Sequence, residues 1–404
     1  MKKRRVRKEL KKDRIIVLIL SFLLLIFGIY YFTSNKNDKV LDNTKVEKEE
    51  KIKEYSINLI MGGDALIHDK LYNACKTDNG YDFKPVFTYL KEYLKDYDLA
   101  YYNQETVLGG SEIGLSSYPA FNSPYEVGDA LIDTGFNIVS LATNHTLDRG
   151  EKAVLNSINY WKDKDVLTSG SYSSFEEREE VRIKEVNNIK YTLLNYTYGT
   201  NGIKVPNGKE YLVNIWPCSG NNPDNDTKYQ EYKEQVKKDI ERVRDKVDVL
   251  MVAMHWGVEY THTPTSYQKD MAKFLSDNGV DIIIGTHPHV VMPVTWIGDT
   301  LVIYSLGNMI SAQETKVDEN TTIGLLTSIK ITKTVDGDTS NIKLSDLNNE
   351  LIYTYYENYT NFKVILFSNS DIKTHLKDYE RLYNKYSNIV KDNNDNILVN
   401  NLPN

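Results

Sequence analysis

The sequence is poor in cysteine: its 404 residues include only Cys75 and Cys218. Two cysteines do not make a disulfide framework, so a hydrophobic core must hold the fold together. An oxidising compartment permits one bridge, and two unpaired thiols fit the sequence equally well. Proline is sparse too, at 10, and with 41% hydrophobic and 26% charged residues the composition is that of a folded chain. No internal repeat occurs. Positive charge is missing from most of the chain. Residues 1–14 hold nine Lys/Arg against Glu9 and Asp13, a net of +7, while the whole chain is −7, so the remainder carries −14. An acidic body excludes a nucleic-acid binder, which needs a basic face to neutralise phosphates. Tyrosine is abundant, at 30 residues, and reads as packing and surface material.

The basic head at 1–14 runs into Ile15–Phe32, which contains no charge. Eighteen residues at 1.5 Å each span about 27 Å, enough to cross a hydrocarbon core. Tyr30, Tyr31 and Phe32 suit the far interface, and the cationic flank stays in the cytoplasm. A cleaved signal peptide is the rival reading. The length of the run and the absence of a small-x-small pattern after Phe32 favour an uncleaved anchor with the main domain outside the cell. Residues 33–54 are polar and aperiodic, as in a tether.

From residue 55 the pattern becomes a short apolar run, a polar loop and a helix-like stretch, repeated. The runs are Ile57–Met61, Leu99–Tyr102, Ile138–Ala142, Val249–Met254, Ile282–Ile284 and Leu301–Tyr304. Amphipathic stretches lie at Pro85–Tyr97, Pro124–Thr134, Gly150–Lys162, Tyr229–Lys246 and Ser266–Asn278. Such alternation predicts an α/β architecture. Val181–Tyr198 reads as a hairpin turning at Asn187-Asn188, and Thr321–Phe367 is strand-rich, so two packed sheets with helices outside are expected. The division is a core over 55–310 and a strand-rich part of the same domain over 311–404. Asp371–Val390 is a candidate closing helix, and the residues after it are expected to fray.

Polar residues of interest directly follow the apolar runs: Asp64, Asn103 with Glu105, Asn144 with His145, His255, His287 with His289, and Asn308. Ligands of open α/β sheets bind outside the carboxyl ends of the strands, so six strand ends build one polar site. Imidazoles, carboxylates and an amide suit a divalent transition ion, Mn, Zn or Fe, better than all-oxygen Ca or Mg. Two such ions sharing a carboxylate clamp a phosphoryl or carbonyl group and activate water.

The segments Gly63-Asp64, Asn103–Glu105, Asn144–Gly150 (NHTLDRG), His255–Tyr260 (HWGVEY), Gly285–Val290 (GTHPHV) and Ser305–Asn308 (SLGN) resemble, in order, the CapA family of bacterial capsule and poly-γ-glutamate synthesis. That family is related in fold to calcineurin-like metallophosphatases. The resemblance implies a four-layer αββα sandwich and one or two divalent ions. It implies Asp64 and His289 at one ion position, Glu105 bridging, and Asn144, His255 and His287 at the other. His145 is the implied general acid, and Asp148 orients an imidazole. His68, Asn103, Glu259 and Asn308 are expected around the ligands or facing substrate. The chain departs from the broader metallophosphatase pattern in having no histidine two residues after Asp64, and a glutamate at the bridging position. The first ion position is therefore expected to be weak, empty or completed by His68. The implied function is a membrane-anchored hydrolase or transferase acting on a phosphoester, amide or similar bond of an anionic polymer. The alternatives are a non-catalytic subunit of a membrane polymer synthase or exporter and, last, a nucleotidase-like scavenger. Polymer synthase or export proteins are the expected partners, besides the bacterial membrane itself.

Overall fold

A computed structural model describes residues 19–21, 23–26, 28–31, 52–218, 222–313 and 319–403. The predicted head at 1–14 and residues 33–51 of the tether lie outside the described residues, and the predicted anchor at 15–32 lies partly outside them. Its described residues are helical, and no helix among the described residues is long and apolar enough to cross a membrane.

From residue 53 the strands are β1 (Lys53–Leu66), β2 (Lys76–Thr77), β3 (Gly80–Tyr81), β4 (Leu99–Asn103), β5 (Ile138–Ser140), β6 (Leu167–Ser169), β7 (Lys184–Val186) and β8 (Ile189–Thr197). They continue as β9 (Val249–His255), β10 (Ile282–Thr286), β11 (Val294–Ile297), β12 (Thr300–Ile303), β13 (Asn308–Ser311), β14 (Ile323–Asp336), β15 (Thr339–Glu357) and β16 (Thr360–Leu366). One sheet runs β16-β15-β14-β1-β4-β5-β6, with β13 also paired to β1, and the other runs β11-β12-β10-β9-β8-β7. In each sheet the central strands are parallel and antiparallel strands lie to one or both sides.

Strand periodicity sets the layers. On β1, Ile57, Leu59 and Met61 face a core shared with Leu193 of β8, Met251 of β9 and Ile284 of β10, so the two sheets pack face to face. The alternate residues Ile60, Ala100, Tyr102 and Val139 pack instead with Leu90, Leu131 and Trp161 from the helical segments outside the first sheet. Leu250, Val252 and Met254 of β9 do the same with Val236, Ile240 and Met271 outside the second. The result is an α/β sandwich in the order helices, sheet, sheet, helices. All seven residues of β9 are buried, as expected of a central parallel strand covered on both faces. Helix Ser266–Asp277 starts at a capping box formed by Thr265 and Gln268. In helix Thr227–Val243 the Asp226 carboxylate accepts from the Tyr229 backbone N–H.

Several boundaries differ from the sequence reading. β1 already begins at Lys53, so residues 53 and 54 belong to the sheet instead of the tether. The amphipathic stretch at 85–97 is broken into a 3-10 turn, helix Thr88–Tyr93 and a second 3-10 turn. The closing helix is two, Ile372–His375 and Tyr379–Lys391. The chain after it does not fray. Ile397 is buried in the inter-sheet core, Val399 bridges Asn349 of β15, and Asn400 donates to Glu350. The hairpin of β7 and β8 turns at Asn187 and Asn188, with φ of 46° and 60°. Cys75 and Cys218 are both free.

Candidate metal centre

The parallel strands of both sheets carry their carboxyl ends toward one edge, where the polar residues gather. Asp64 sits near the end of β1, at register irregularities against both β4 and β13. Such irregularities re-aim a side chain, here inward. Two glycines make the approach of the surrounding chain possible. A Cβ on Gly63 would lie 1.9 Å from the Gly307 carbonyl oxygen, and one on Gly285 would lie 2.1 Å from that of Tyr304. After Gly285 and Thr286, His287 and His289 take left-handed φ values of 95° and 60°. Non-glycine residues in such conformations cost about 1–3 kcal/mol each and concentrate at functional sites. The Asp64 Oδ2 atom accepts from the His287 backbone N–H at 3.1 Å, which helps hold this turn.

Asp64, Glu105, Asn144, His145, His255, His287 and His289 are all buried, and the structure brings them together. Glu105 Oε1 lies 3.7 Å from His255 Nε2 and 3.6 Å from His289 Nε2, while His289 Nδ1 lies 3.5 Å from Asp64 Oδ2. Asn144 Oδ1 is 2.8 Å from His255 Nε2. Asn103 donates to Asp64 Oδ1 at 2.8 Å and accepts from Ser140, so it fixes the first carboxylate. Asn308 Oδ1 is 3.0 Å from His289 Nδ1, and Thr286 Oγ1 is 3.0 Å from His255 Nδ1. Three groups have ligand atoms within 4.8 Å of one another: Asp64 with Glu105 and His289, Glu105 with His255 and His287, and Glu259 with His287 and His289. His68 is in none of them. Its Nδ1 lies 3.2 Å from the Leu66 carbonyl oxygen, and its ring meets Phe121 edge-on.

Electrostatics set the resting state of these groups. Burial pulls the His255 and His287 imidazoles well below the ordinary value, so both are neutral, the form that ligates a metal. Burial acts the same way on His289 but is outweighed by Glu105 and then Asp64, which raise it to about 9. Burial pushes the Glu105 carboxyl well above the usual carboxylate range, against the pull of His289. Neither oxygen of Glu105 has a hydrogen-bond partner among the described residues, and neither has His287 Nδ1. A buried, unpartnered carboxylate is costly unless an outside group completes it, so the donor set fits a divalent cation.

His145 stands beside this cluster on a loop braced by Thr143 and Thr146. Its Nδ1 is 2.7 Å from Asp148 Oδ2, an oxygen that also accepts from the Phe121 backbone N–H at 2.7 Å. The ring and Asn144 border a cavity of about 900 Å³ that also touches His68, Phe121, Glu259 and His289. Two residues near the site escaped the sequence reading. Tyr198 packs its ring 4.6 Å from that of His287, and Asn201 reaches both Asn144 and His145. Both follow β8 at its carboxyl end, the same signal as at the other strands, but in sequence β8 shows itself only as half of a hairpin.

A two-sheet α/β sandwich with a buried histidine–carboxylate cluster at its strand ends is consistent with the metallophosphatase superfamily. The chain belongs to the family described as bacterial capsule synthesis protein PGA_cap, whose model matches residues 58–313. It is 29% identical over 192 residues to the capsule biosynthesis protein CapA of Bacillus anthracis, covering 46% of this chain and 43% of that protein. It is 27% identical over 184 residues to the PGA biosynthesis protein CapA of Bacillus subtilis (strain 168), covering 45% and 44%. The match thus spans less than half the length of either relative. Among solved structures, a hypothetical protein from Thermus thermophilus aligns over 72% of this chain and 99% of its own, at 14% identity and a TM-score of 0.42.

Proposed function

We propose that this protein is a metal-dependent hydrolase or transferase in the synthesis or anchoring of a poly-γ-glutamate-type capsule polymer. Residues 15–32 would hold it to the membrane with residues 53–403 on the outer side. The family and the names of its relatives support the polymer. The chemistry rests on one observation, the two oxygens of Glu105, which have no hydrogen-bond partner among the described residues and lie in a buried cluster with His255, His287 and His289. Glu105, Asn144, His255 and His287 would hold one ion, and Asp64, Glu105 and His289 a second. A bound divalent ion supplies Lewis-acid polarisation of a phosphoryl or carbonyl oxygen and lowers the pKa of a water. His145 then acts as the general acid. Asp148 holds its Nδ1, so Nε2 is left to give a proton to the leaving oxygen. The cavity beside it admits a substrate segment.

One observation favours a second reading, a non-catalytic subunit of a polymer synthase or exporter. Asp64 has both oxygens already engaged, by Asn103 and the His287 backbone, and the residue two positions on is Leu66, which offers no ligand. The variant His145→Ala separates the readings. An enzyme loses about 10²–10⁴-fold in turnover of a phosphoester or amide substrate while keeping its metal. Normal polymer production by cells carrying His145→Ala would overturn the catalytic reading.

A further inference from the structure

We infer that Glu259 is a metal ligand on the solvent side of the His287 and His289 pair; the inference rests on the metal-centre reading above. Glu259 follows β9 by four residues, on a turn whose shape is dictated locally. Gly257 has φ 92°, and a Cβ there would lie 2.8 Å from the Gln268 side chain. Tyr260 takes φ 62°, and its backbone N–H donates to the Pro288 carbonyl at 2.8 Å. The turn is therefore tied to the His287-Pro288-His289 segment at its middle residue. Tyr260 is held from its other end as well, since its hydroxyl accepts from Gln313 at 3.2 Å and its ring lies 6.1 Å from that of His289. This bracing puts a Glu259 carboxylate oxygen within 4.8 Å of a ring nitrogen of His287 and of His289.

The three candidate groups overlap in a ring. Glu105 joins the first to the second, His287 the second to the third, and His289 the third back to the first. Without Glu259 the cluster has two carboxylates, one of which already accepts a hydrogen bond on each oxygen. Two divalent ions bring four positive charges into a buried site, and such charge needs pairing. A third carboxylate reduces the imbalance. Glu259 is also the exposed member of its group and lines the cavity, whereas His287 and His289 are buried. The geometry gives it the solvent-side position, facing the cavity.

The test is titration of the chelated full-length chain with Mn²⁺ alone, read by calorimetry and metal analysis. The proteins are wild type, Glu259→Gln, Glu259→Ala, Glu105→Gln and, as a surface control, Glu185→Gln. Loss of a ligand should weaken one class of Mn²⁺ site by more than about 10-fold and leave the other within about 2-fold, because even outer partners cost 10–100-fold. A role as a mere charge near His289 would weaken all sites alike and fade with added salt, which overturns the inference. Unchanged binding in both Glu259 variants, with an unaltered fold by circular dichroism, overturns it as well. If Glu105→Gln loses metal while the Glu259 variants do not, only this inference fails. If the wild type takes up no Mn²⁺, the metal-centre reading fails with it.

Discussion

Glu105, just after β4, and Glu350, on β15, are two buried glutamates whose surroundings are opposite. Burial raises the carboxyl pKa of both. Glu350, on β15, accepts from the Ser368 backbone N–H at 2.9 Å and from the Asn400 amide at 2.6 Å. Glu105 accepts from no described residue. A carboxylate buried for structure is completed by its own chain, while one left incomplete at converging strand ends is arranged for a group from outside. The same contrast holds for the segments around them. The turn after β10 holds two histidines in left-handed conformations. The tail at 397–400 is pinned by Asn349, Glu350 and a buried isoleucine, and these tie it to β15.

The contrast can be broken by exchanging the roles of the two glutamates. Glu105→Gln should lower Mn²⁺ affinity by more than about 100-fold, because loss of a direct ligand exceeds the 10–100-fold cost of outer partners. Its unfolding midpoint with chelator present should stay at or above that of the wild type, since a costly buried carboxylate is gone. On the structural side, Ile397→Ala should cost about 2–5 kcal/mol in urea unfolding, the usual range for emptying a core site, with metal content unchanged. Glu350→Gln should cost less, about 1–3 kcal/mol, by setting an amide donor against one of the two existing donors. It too should leave metal binding alone.

A further expected effect is one of pH. Burial lowers the His68 imidazole from 6.5 to about 4. Its folded value lies below its unfolded value, so its contribution is present above about pH 6.5 and is lost as pH falls toward 4. The chelated wild type should therefore lose more stability between pH 7 and 4.5 than His68→Gln does, by urea unfolding. The difference between the two proteins isolates His68 from Glu105, whose raised carboxyl acts in the opposite direction over that range.

Much of the site was legible because strand ends leave a local mark: a buried apolar run that stops at Asp64, Asn103, His255 or Thr286. The hairpin at Asn187-Asn188 was legible for a similar reason, since asparagine tolerates left-handed backbone. Less local features were not. β6 has three residues and β13 four, too short to show a period. The docking of Asn400 against Glu350 depends on contacts 50 residues apart, and a polar asparagine-rich tail reads as fraying. Glu259 was legible only as a residue around the ligands or facing substrate, because only the fold brings its turn against Pro288.

The most direct test of a metal centre built on Glu105 is the Mn²⁺ stoichiometry of the chelated full-length protein beside its Glu105→Gln and Glu350→Gln variants. About two ions are expected in the wild type and in Glu350→Gln, with a large loss confined to Glu105→Gln. Equal uptake by all three proteins, or none by the wild type, would contradict it.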